Sequence, residues 1–271
     1  MSEKKEQKII VFLSLTPSDQ TLILNGLKIA SIFRKTLCLC FNYPRKQKKY
    51  HSCYKEKLCQ YVASIEKKVQ DIQLSSLLIS VPFETIAPKL SDNYEAIFAI
   101  APKTGHRKYL SALRESKIPF LFVDEKQKII TDYKKIILPV DLRKRNSDST
   151  LWASHFGRFN NTQIVILAAN DKIRENQKQG TRNIRSAQNL FLKFNIQHQI
   201  RKGEKNSFGN ADEALQLAFS LNADCIIILG SSSITPLDRL VGLPEKKLIR
   251  NSGHLPVLII NPRKDSYILC A

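Results

Sequence analysis

The residue types that could do chemistry are present, but not in the spacings that catalysis needs. The five histidines, His51, His106, His155, His198 and His254, form no HxH or HExxH pattern and read as surface or capping residues. The six cysteines, Cys38, Cys40, Cys53, Cys59, Cys225 and Cys270, contain no CxxC pair and no zinc-type spacing with histidine. Cys38 and Cys40 share one face of a strand and read as small buried apolar side chains. No serine lies in GxSxG, and no serine, histidine and aspartate fall in suggestive order on strand ends. No catalytic residue and no metal ligand is therefore expected. What remains are residues at the ends of apolar runs. Asp141 follows Ile136-Ile137-Leu138-Pro139-Val140. Gly230 follows Cys225 to Leu229 and leads into Ser231-Ser232-Ser233, with Gly242 beyond them.

These positions depend on alternating elements. Ile9 to Leu13 is a continuous apolar run, as expected of a strand buried on both faces. Thr16-Pro17-Ser18-Asp19 starts a helix. Further strands are expected at 36–41, 77–79, 96–101 and 119–123. Leu58, Val62, Ile65, Val69 and Ile72 mark an amphipathic helix. Asp124 to Tyr133 reads as a polar linker, after which the order restarts. Strands are expected at 136–140, 163–168, 196–200, 225–229 and 256–260. Helices begin near Asn146, contain Ile184, Ala187 and Phe191, and span 210–221 and 244–252. Trp152 belongs to the core, and Gly253 is placed for a left-handed helix end. Pro139 cannot donate a ladder hydrogen bond, so a bulge or cleft is expected beside it.

The two halves repeat. Lys8-Ile9-Ile10 matches Lys135-Ile136-Ile137 at an offset of 127, and Asn93 to Ile97 matches Asn222 to Ile226 at 129. Ile118 to Phe122 matches Leu255 to Ile259 at 137. The second half thus carries extra residues after its fourth strand, where an α/β sheet presents its ligand loops.

Composition excludes several classes. Apolar residues are 43% and charged residues 25% of 271, which rules out wholesale disorder. No apolar run approaches a membrane span. The N-terminus MSEKKEQK has no signal-peptide apolar region, so the expected compartment is the cytoplasm and no membrane partner is expected. The net charge of +19 divides almost evenly, +10 over residues 1–130 and +9 over 131–271. Such a spread indicates a basic solvated surface rather than a dedicated nucleic-acid groove. Two basic runs, Pro44 to Lys49 and Arg143-Lys144-Arg145, follow strands at the cleft end and could attract anions. A phospho-acceptor receiver domain is disfavoured, because the third strand of the second half ends in Ile200-Arg201-Lys202 rather than in an aspartate.

Ile136 to Asp141 and the stretch from Ala223 to Pro262 resemble the universal stress protein family in its tandem form. The resemblance implies an α/β fold of two doubly wound, five-stranded parallel sheets of strand order 3-2-1-4-5, with Rossmann-like domains at 1–130 and 131–271. It implies that the two fifth strands meet, making an intramolecular pseudo-dimer, and it leaves a homodimer and a further protein partner open. Nucleotide-binding members resemble one another in a loop of Gly, two residues, Gly, nine residues, then Gly and Ser or Thr. Such a loop brings backbone N–H groups and a helix N-terminus against phosphates. Here Gly230 matches, Ser233 replaces the second glycine, Gly242 comes after eight residues, and Leu243 replaces the hydroxyl residue. The nucleotide-binding residues implied are Asp141, Gly230, Ser231, Ser232, Ser233 and Gly242, with ATP or AMP as a weak, non-essential ligand. The first half has Ser14 at the strand end and a shortened loop, so no phosphate cradle is expected there. The function implied is non-catalytic, regulatory or protective, in stress response. The alternatives are a slow ATP hydrolase and a polyanion-binding module.

Overall fold

The structure, a computed structural model, describes residues 6–67, 69, 71–114, 116–127, 130–143, 145–230 and 244–261. Two compact units meet in sequence at Ile130 and Thr131. The expected Ser231, Ser232, Ser233, Gly242 and Leu243 lie outside the described residues.

The first unit runs β1 (Lys8–Phe12), α1 (Asp19–Phe33), β2 (Thr36–Asn42), α2 (His51–Glu66), β3 (Leu74–Ile79), α3 (Phe83–Tyr94), β4 (Ala96–Pro102), α4 (His106–Arg114) and β5 (Phe120–Val123). Its strands are parallel and ordered 3-2-1-4-5. Burial explains the apolar runs: Ile9, Ile10, Val11 and every residue from Ala96 to Ala101 are inaccessible to solvent. Cys38 and Cys40 are buried in β2 among these side chains. Pro88 lies within α3, which continues to Tyr94. Gly26 of α1 lets the helix approach the sheet, because a Cβ there would lie 2.5 Å from Val11 Cγ2.

The second unit runs β6 (Lys135–Val140), α5 (Asn146–Asn160), β7 (Gln163–Ala168), α6 (Arg174–Lys193), β8 (His198–Lys202), α7 (Asn210–Ser220), β9 (Cys225–Leu229), α8 (Pro244–Asn251) and β10 (Val257–Ile260). Within it β6 lies between β7 and β9, β8 flanks β7, and β10 flanks β9, all parallel. Gly253 takes the left-handed conformation expected, at φ +52°. Trp152 is core, packed edge-on to His155. His155 is itself buried, not a surface residue. Burial, and secondarily the Arg158 charge, pushes its imidazole pKa down to about 4. Tyr133, at the end of the expected polar linker, is also fully buried.

Pro139 leaves its mark on the sheet. β6 pairs with β9 only at Ile136 and Ile137, whereas β1 pairs with β4 as far as Val11. Proline has no N–H to extend the ladder. The two strands on either side of the chain reversal therefore stop pairing early, before their C-terminal ends, and the ladder leaves a crevice in the hydrogen bonding there. That is where open α/β sheets take ligands.

Candidate functional site

Asp141 and Gly230 end the two strands that border this crevice. Gly230 N–H donates to Ile260 O at 2.8 Å. A Cβ on Gly230 would lie 3.3 Å from Ile259 Cγ2 and 3.6 Å from Glu245 Oε1. Gly230 is thus packed closely against β10 and the first turn of α8. Glu245, in that turn, is buried.

Asp141 does not face the crevice as an open carboxylate. It is 4% exposed. Its Oδ1 accepts from Arg143 N–H at 2.9 Å and from Asn146 Nδ2 at 3.0 Å. Its Oδ2 accepts from Arg143 Nε at 2.8 Å and lies 2.7 Å from Arg143 Nη2. The Asp141 oxygens are thereby filled by the chain itself. Arg143 also donates from Nη1 to Leu229 O at 3.1 Å. Its guanidinium therefore bridges the ends of β6 and β9, across the gap that Pro139 begins.

The loop carrying Arg143 is fixed by amides. Asn146 Nδ2 donates to Asp141 O at 3.0 Å and to Arg143 O at 2.5 Å. Asn183 Nδ2, from α6, donates to the same two carbonyls at 2.7 and 3.0 Å. Leu142 N–H donates to Ser207 Oγ, which donates in turn to Asp171 Oδ2. Asn210, buried in the first turn of α7, donates to Val140 O and Leu167 O, tying α7 to β6 and β7.

The corresponding crevice of the first half differs. Ser14 N–H donates to both Asp19 oxygens at 3.0 and 3.1 Å, and Thr16 N–H donates to Oδ2 at 3.0 Å. Asp19 is buried, and burial pushes its carboxyl pKa above the ordinary value, with the Glu125 charge adding to the rise. Neighbouring Tyr109 is likewise buried and its phenol is pushed up. Lys108 lies over the Phe83 and Tyr109 rings at 5.0 and 4.8 Å, and burial pulls its ammonium pKa down.

Of the expected site residues, Asp141 and Gly230 are brought to one crevice. The expectation did not single out Arg143, Asn146 and Asn183. The basic run 143–145 was a partial signal for Arg143. The 127-residue repeat offset holds a clearer one, because it sets Asp141 over Ser14 and Asn146 over Asp19.

No family model matches the chain, and no curated protein matches it. Solved structures do. A universal stress protein from Archaeoglobus fulgidus superimposes with a TM-score of 0.72 at 14% identity, over 96% of this chain and 98% of that one. A protein from Pseudomonas aeruginosa, described as a universal stress protein, gives 0.61 at 13% identity, over 95% and 94%. At such identity the likeness speaks for architecture alone. Two doubly wound units, repeated over one chain and matched along nearly its whole length, give this protein the fold of the universal stress proteins.

Proposed function

We propose that the chain is a non-catalytic, cytoplasmic protein of regulatory or protective role in stress response, with one weak nucleotide site, in its second half. The observation that carries this reading is the state of Asp141. A hydrolase needs a carboxylate free to hold a metal or take a proton. Here Asp141 is buried and committed to Arg143 and Asn146, which favours binding over catalysis. The early end of the β6–β9 ladder favours a ligand in the second half. In the first half the loop after the strand closes on Asp19 and presents no cation, whereas in the second it carries Arg143. Pairing of β5 with β10 within one chain belongs to the same proposal.

Calorimetric titration of the full chain with ATP and with AMP tests it. One weak site per chain is expected, with no phosphate release above buffer background. Two sites, or turnover, would overturn the reading.

A further inference from the structure

We infer that Arg143, not Asp141, is the ligand-facing group of the second-half crevice, and that the crevice takes a phosphate oxyanion there. The inference rests on the proposal above for the location of the site, and it changes what the site recognises. An open aspartate would accept hydrogen bonds from the amino edge of a base. Asp141 has no acceptor left for that purpose.

The guanidinium has what an oxyanion needs. Its side chain is 40% exposed, while that of Asp141 is 6% exposed, so the cation is the outer member of the pair. Of its five N–H donors, three are directed at Asp141 and Leu229 O. The other two have no partner among the described residues. They belong to Nη1 and Nη2, and guanidinium N–H groups pair well with phosphate oxygens. The group is also held in place. Its backbone N–H is bound by Asp141 and its carbonyl by Asn146 and Asn183, so little ordering remains for a ligand to bring about.

The carboxylates at the ends of the neighbouring elements are engaged by the chain itself. Asp171 is bound by Ser207, through N–H and hydroxyl. Glu213 accepts the backbone N–H groups of Glu204 and Lys205. Glu245 is buried beside Gly230 in the first turn of α8. A phosphate approaching that helix start meets a carboxylate, whereas one approaching the β6–β9 gap meets Arg143. The charges thus direct an oxyanion to the gap.

The phosphate group has two sources, a nucleotide or a free polyphosphate, and the experiment separates them. The full chain and its Arg143→Gln and Arg143→Lys variants are titrated with inorganic tripolyphosphate, ATP and adenosine. Thermal melting checks that each variant folds. The natural protein is expected to bind tripolyphosphate and ATP but not adenosine. Arg143→Gln should weaken both anions about tenfold or more, as expected on losing a charge-assisted hydrogen bond. Arg143→Lys should lose affinity too, because an ammonium cannot span Asp141 and Leu229 while offering a fork. If glutamine at this position prevents folding, the lysine variant decides. Unchanged anion affinity in a folded variant overturns the inference. ATP binding without tripolyphosphate binding, indifferent to Arg143, leaves the nucleotide proposal standing and removes this one. Arg143-dependent binding of tripolyphosphate, with ATP no tighter, does the reverse. No binding of any probe removes both.

Discussion

At the end of β1 the backbone N–H of Ser14 is held by the carboxylate of Asp19. At the end of β6 the backbone N–H of Asp141 is held by the amide oxygen of Asn146, at 3.4 Å. Both pairs are five residues apart, and the two are separated by 127 residues, the offset of the repeat itself. Each half closes the loop between its first strand and first helix with the side chain of the first helical residue. They differ in where the negative charge sits. The first half places it on the helix, where backbone N–H groups hold it. The second places it on the strand end and leaves an amide on the helix. Position 16 is then Thr, and its counterpart is Arg143. Moving one carboxylate by five residues changes a loop closed on itself into one that holds a cation at the mouth of a crevice.

The largest expected effect comes from separating the halves. β5 and β10 are short, fully buried and apolar, Phe120–Val123 and Val257–Ile260, and each is the last strand of its half. Uncovered edges of that kind drive association. The second half expressed alone from Lys134 should dimerise or aggregate in gel filtration with light scattering. A soluble monomer at high concentration would show that the halves need no mutual cover.

Next is the exchange of charge. Asn146→Asp puts a second carboxylate against Asp141. Nδ2 donates to Asp141 O, Asp141 Oδ1 and Arg143 O. An acceptor in its place reverses all three contacts within a buried group, at a cost of about 3 kcal/mol at neutral pH. Denaturant unfolding reads it as a lower midpoint at unchanged slope. The loss should shrink at low pH, where protonation restores a donor. A change under about 0.5 kcal/mol would mean that the loop is held by Asn183 alone.

Much of this architecture was legible in the residues. Apolar runs such as Ile9–Leu13 and Cys225–Leu229 have one physical reading, a strand covered on both faces, and the structure has it. Pro139 marked the early end of the β6–β9 ladder, because a missing N–H has a local consequence. The crevice contents were harder to read. Asp141 at a strand end has the same sequence appearance whether it is open to a ligand or filled by its own Arg143. The choice depends on where one flexible guanidinium goes, and Leu229, 86 residues away, helps to decide that. His155 shows the same limit. A polar residue three positions after Trp152 looks like a surface group, until packing buries it between Trp152 and Phe159.

The smallest expected effect is at the first-half counterpart, and there the sign of the pH dependence is the test. Asp19 is buried, and its carboxylate is held by backbone N–H groups, those of Ser14 and Thr16 among them. Burial raises its carboxyl pKa above 3.8, and the amide hydrogen bonds offset that only in part. A carboxyl that holds its proton more tightly in the folded state stabilises the fold most below the unfolded pKa. That contribution is lost as pH rises through the native value. Asparagine keeps one acceptor oxygen for Ser14 N–H and carries no charge at any pH. The stability gap between natural protein and Asp19→Asn should therefore be widest below the ordinary carboxyl value of 3.8, about 1 kcal/mol, and should narrow toward neutral pH. The Asn146→Asp gap should run the other way, widening as pH rises. Paired denaturant melts of the two variants across this range compare the halves directly. If the Asp19→Asn gap instead grows with pH, the Asp19 carboxylate is stabilised as an anion by its amide cradle, and the two halves hold charge in the same way.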